Sequence, residues 1–135
     1  MRVLLACLAV AACVTTAEHT PPERVAGCWI NRYAAVGPQT MQWAADEAQP
    51  GVMQGARRSS RSVDTFVLSA AQAGWRLCEN RADAAPRCWD VAEGEHGSLE
   101  GGRAFIDLIG NELRIAILGD GPERVIFQGR RQRCS

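Results

Sequence analysis

The sequence predicts an all-β domain, a small antiparallel barrel of eight or nine short strands held by two disulfides. Three observations predict it. First, no stretch of helical period stands out after residue 25; short alternating or β-favouring runs are punctuated instead by Gly, Pro, Asn and Asp. Second, Cys28, Cys78, Cys88 and Cys134 are an even set in a chain that opens on an export signal, which reads as two disulfides. Third, Cys28 lies in the first run and Cys134 just beyond the last, so a bond between them would sew first strand to last. A two-sheet sandwich is the other solution for so many short strands. The cysteine positions favour closure, which also removes exposed edges.

Taken in order, "MRVLLACLAVAACVTTAEHT" carries one charge at Arg2 and then an uncharged run from Val3 to Ala17. The run is too short and too close to the start for a stable membrane span. It reads as a secretory signal over 1–17, cleaved before Glu18. "VAAC" at 10–13 also resembles a bacterial lipobox, which would make the signal 1–12 and Cys13 a lipidated first residue. Residues 18–24 read as a polar tether, and 25–135 as the barrel domain. The expected location is therefore periplasmic or secreted, with a membrane-anchored lipoprotein as the variant.

Strands are expected near 25–34, 39–46, 52–59, 64–70, 73–79, 86–92, 102–109, 111–118 and 123–130. "IGNE" at 109–112 and "DGPE" at 120–123 have hairpin chemistry, "AQAG" at 71–74 suits a tight turn, and "ENRADAAPR" at 79–87 reads as a loop. In "DTFVLS", Phe66 and Leu68 share a face with Asp64. Four cysteines allow three connectivities, and Cys28–Cys134 with Cys78–Cys88 fits the barrel best. Loop entropy assigns about 4.7 kcal/mol to closing roughly 100 residues and somewhat under 3 to the short loop. Neighbours in a strand point to opposite faces, so in "GCWI" and "RCWD" each tryptophan can point inward while each cysteine points out.

"AGCWI", "MQW" and "GVMQGARR", spread over 26–58, resemble a family of exported bacterial lipocalin-like domains with a Gly-Cys-Trp start and a Gly-x-Met-x-Gly-x-x-Arg third strand. The resemblance implies a small calycin-type barrel, from a family of largely unassigned function. An acidic residue that the family carries in its fourth strand is replaced by "TFVLS", and a His-Asp-Phe-Pro stretch is missing from "SLEGGRAFIDLIG". The opening is also similar to the Gly-x-Trp signature of lipocalins. There the tryptophan closes the narrow end and an arginine near the last strand packs across it. That resemblance implies a structural role for Trp29 and for Arg130, or its neighbour Arg131, through a cation–π contact of about 0.5–1 kcal/mol.

Candidate ligand-binding residues are Met41, Trp43, Met53 and Trp75, because adaptable thioethers beside aromatics suit a lipophilic ligand. An ordinary core suits them equally. "ARRSSRS" at 56–62 and "QGRRQR" at 128–133 offer arginines for an anion, or a solvated hairpin tip. Asp64 and Asp107 are the nearest thing to paired carboxylates, and alternation places them as readily on the outer face. His19 and His96 fall in the tether and a turn, and no Cys-x-x-Cys pair exists, so neither a metal nor a cofactor is expected. The fifteen basic residues are all arginine and are balanced by fifteen acidic ones, which argues against a nucleic-acid partner. A monomeric exported binding protein for a small lipophilic ligand, not an enzyme, is expected. A protein–protein interaction or inhibitor module binding an envelope protein is the alternative.

Overall fold

The computed structural model describes residues 22–71, 74–91, 103–119 and 121–135. The signal, Cys13, His19, His96 and residues 18–21 of the expected tether lie outside them. A 3-10 helix, Pro22–Val25, leads into nine strands: β1 Gly27–Asn31, β2 Gln39–Ala45, β3 Val52–Arg58, β4 Val63–Ala71, β5 Gly74–Arg81, β6 Ala84–Val91, β7 Arg103–Ile109, β8 Glu112–Leu118 and β9 Arg124–Gln132. They close into one barrel in chain order.

Alternation decides which side chains fill it. Trp29, Met41, Trp43, Met53, Phe66, Leu68, Leu77, Trp89, Leu113, Ile115 and Phe127, from eight of the strands, belong to one buried cluster. No polar or charged residue is buried among the described residues. Gly55 makes room for the Trp43 ring, since a Cβ there would lie 2.7 Å from it.

Two expectations about the strands change. The strands were expected to pair antiparallel throughout, yet β6 and β7 run parallel and meet at only two positions, Asp90 with Arg103 and Val91 with Ala104. Parity is the cause. An up-and-down chain of nine strands would leave the first and last parallel, whereas β1 and β9 pair antiparallel. One step around the ring must therefore fail to reverse. The expected loop at 79–87 is mostly strand, because β5 and β6 stay paired through Glu79–Arg87 and Arg81–Ala84. Pro86 is tolerated there because that stretch of β6 has no β7 neighbour to lose a hydrogen bond with. "IGNE" forms the expected hairpin, with Ile109 opposite Glu112 and Gly110 at a φ of 60°.

Both expected disulfides are present. Cys28–Cys134 joins the two ends of the chain's barrel at a Cα separation of 5.3 Å, and Cys78–Cys88 links directly opposed residues of β5 and β6. In both Cys-Trp pairs the tryptophan packs inward: Trp29 is fully buried and Trp89 nearly so.

Residues 22–24 are not tether. They belong to the 3-10 helix, which seals one end of the barrel with the buried Val25, and the Trp29 Nε1–H donates to the Val25 carbonyl at 2.9 Å. The arginine across Trp29 is Arg131 and not Arg130. Register pairs Trp29 with Arg131, whose guanidinium lies 4.2 Å from the ring centroid and donates to the carbonyls of Ala26 and Arg24. Arg130, one residue earlier, has the opposite parity and faces outward.

Candidate functional site

Strand direction puts the 3-10 helix, the 46–51 loop and the 110–111 turn at the sealed end. The opposite end, the mouth, gathers the connections 32–38, 59–62 and 82–83 and the start of β9. Its inward-facing positions carry charge. Arg57 continues the inward series Met53, Gly55 on β3, and Asp64 stands opposite it on β4. The Arg57 Nη2 and Nε donate to Asp64 Oδ2 at 2.9 and 3.3 Å, while Nη1 reaches the Ile126 carbonyl at 2.7 Å. Since Ile126 is on β9, this arginine spans the lumen between strands that are not neighbours. Its guanidinium also lies 5.4 Å from the Phe66 centroid.

A second arginine spans the mouth from the other side. Arg124 of β9 pairs with Glu79 of β5 at 3.4 Å, and its guanidinium stands 5.7 Å from the Trp89 centroid. Arg87, two residues before Trp89 on the same strand, stands 5.5 Å from that ring. Two guanidinium groups thus converge on one indole, with Glu79 the single carboxylate paired to either among the described residues. Arg57 and Asp64 neutralise one another, so Arg57, Asp64, Glu79, Arg87 and Arg124 together carry one positive charge. A longer, more exposed contact holds Arg124 than holds Arg57, whose side chain is only 17% exposed against 47% for Arg124.

The residues expected to bind a ligand lie deeper. Met41 and Trp43 share the inward face of β2 and are 1% exposed, and Met53 on β3 is 4% exposed. Trp75 packs partly buried against the same cluster. All four are therefore core-packing side chains in this conformation. One polar atom among them is unanswered: the buried Trp43 Nε1–H meets no acceptor among the described residues.

The other candidates separate. Asp64 and Asp107 stand on β4 and β7, which share no rung of the sheet, and Asp64 is held by Arg57. In "ARRSSRS" Ser59 and Ser62 satisfy one another. The Ser59 N–H donates to the Ser62 carbonyl at 3.0 Å, and the amides of Arg61 and Ser62 donate to Ser59 Oγ. Glu79, Arg87 and Arg124 escaped the sequence reading. Parity with Leu77 and Trp89 would have turned the first two inward, but the stretch reads as a loop. For Arg124 the register shift at Ile115/Ala116 breaks the count.

No family model, curated protein or solved structure matches this chain. The disulfides fit an oxidising compartment.

Proposed function

We propose that this is an exported barrel that binds a small lipophilic molecule bearing an acidic group, taken up through the mouth. The observation that carries the reading is the convergence of Arg87 and Arg124 on Trp89 above a cluster of buried apolar side chains. Guanidinium groups suit a carboxylate or phosphate head, and the aromatic and aliphatic interior suits a hydrocarbon tail. The lone Trp43 N–H supports an occupant that brings an oxygen into the lumen, because a buried donor left unpaired costs about 1–3 kcal/mol. In this reading the head replaces Glu79 on Arg124, and Met41, Trp43, Met53 and Trp75 shift around the tail. The N-terminal segment exports the chain to the periplasm, or anchors it there through Cys13.

Titration with dodecanoate and dodecanol, followed by tryptophan fluorescence, tests it. Saturable quenching by dodecanoate, weakened in an Arg87→Ala, Arg124→Ala double variant, is expected. Absence of quenching by either ligand refutes the reading. A second reading, an interaction module, is favoured by Tyr33, Val36 and Val63, which stand 92%, 53% and 55% exposed around the same rim. Native mass spectrometry of protein taken from its own envelope separates the two, by a retained lipophilic mass or a stoichiometric protein partner.

A further inference from the structure

A second recess lies on the outer wall, over the junction of β1 with β9, and encloses about 620 Å³. That volume falls within the usual range of small-molecule sites. Its floor is one rung of the sheet: Ile30 faces Arg130 across β1–β9, and Arg130 faces Glu112 across β9–β8. The walls are unusually rich in planar amides, Asn31, Asn111, Gln128 and Gln132. At the rim stands Tyr33, the only tyrosine of the chain, 92% exposed and without part in the core.

The chemistry of this wall differs from that of the mouth. Side-chain amides present a donor and an acceptor in one plane, as a carboxylate presents two acceptors and a guanidinium a fork of donors. Such groups match vicinal hydroxyls, each of which both donates and accepts. Asn31 Oδ1 accepts from the Tyr33 backbone N–H at 2.9 Å, which sets the tyrosine's position and leaves the Asn31 amide donors to the recess. An exposed phenol has an apolar face and a polar tip, the arrangement that packs on the C–H face of a sugar ring. Arg32, Arg130 and Arg131 stand in the lining against Glu112 alone, so the recess carries two positive charges in excess.

We infer that this recess binds an oligosaccharide, and an acidic one in preference to a neutral one. The amides and Glu112 take the hydroxyls, Tyr33 stacks on a ring, and Arg32 with Arg130 receives a carboxylate. The site is independent of the lumen and holds whether or not the barrel carries a lipophile.

NMR titration of the side-chain amide signals with tetragalacturonate, cellotetraose and inorganic phosphate tests it. Tetragalacturonate is expected to shift the signals of Asn31, Asn111, Gln128 and Gln132, and cellotetraose to do so more weakly. Tyr33→Ala should weaken binding about three- to tenfold, the factor for losing one aromatic stacking contact. Because the ring is exposed, the fold of that variant is expected to be unchanged, so lost binding reads the site. Equal shifts from phosphate would reduce the recess to an anion site and overturn the inference. So would no shift from either tetrasaccharide, or affinity unaltered by Tyr33→Ala.

Discussion

Both ends of the barrel are stoppered by arginine, by opposite means. At the sealed end Arg131 uses, among the described residues, only uncharged acceptors, the Trp29 ring and two backbone carbonyls, beside a disulfide. At the mouth Arg57 and Arg124 are held by carboxylates, Asp64 and Glu79. An arginine held by π-electrons and carbonyls keeps its partners at any pH that spares the fold. One held by a carboxylate can be traded to another anion and is weakened by salt. The same residue type thus makes a permanent stopper at one end and an exchangeable one at the other.

Five variants break or sharpen that contrast. Replacing Cys28 and Cys134 together by serine strikes the permanent end hardest. A loss of about 4–5 kcal/mol is expected from the loop it closes, read by urea unfolding of both forms under non-reducing conditions. Arg57→Ala comes next, at about 2–3 kcal/mol, because it strips charged hydrogen bonds from Asp64 and the Ile126 carbonyl. Urea midpoints that match wild type would show that the arginine does not span the lumen. Arg124→Ala should cost under about 1 kcal/mol, since its pairing is long and half-exposed. High salt should erase the difference between Arg124→Ala and wild type, and leave an Arg131→Ala defect intact. Smallest is the effect of Asp46→Asn in the loop at the sealed end. There the Ala48 amide and then the Gln54 side chain hold the Asp46 carboxyl below its usual pKa. A lowered folded pKa gives stability that is present above the unfolded value, about 3.8, and lost as pH falls through the folded one. Acid unfolding of wild type and variant should therefore converge at low pH and diverge above it.

The sealed end was far more legible in the sequence than the mouth. "GCWI" told its own orientation, because a cysteine and a tryptophan in adjacent strand positions face opposite ways and the tryptophan is the one that fills a core. The disulfide partners followed from where the cysteines fall along the chain. The choice between Arg130 and Arg131 could not be read, because it depends on the register of β9 against β1, which no local signal fixes. At the mouth, the rule that inward positions are apolar fails at Arg57, Glu79, Arg87 and Arg124. Charged residues there read as loop or surface, whereas strand parity turns them inward, and Arg57, Glu79 and Arg124 meet partners on non-adjacent strands across the lumen. Nothing in a strand's own sequence reports a contact made across a barrel.

The odd number of strands has a mechanical consequence. The ring consists of two antiparallel sheets, β1–β6 and β7–β9, joined along two lines. One line, β1 against β9, has three rungs and is bolted by Cys28–Cys134. The other, β6 against β7, has two rungs and no covalent tie among the described residues. The barrel is built like a hinged case, with a riveted spine and a light clasp. Expansion of the interior that needs a strand pair to part has an inexpensive place to begin, and the spine keeps the two leaves in register when it closes again.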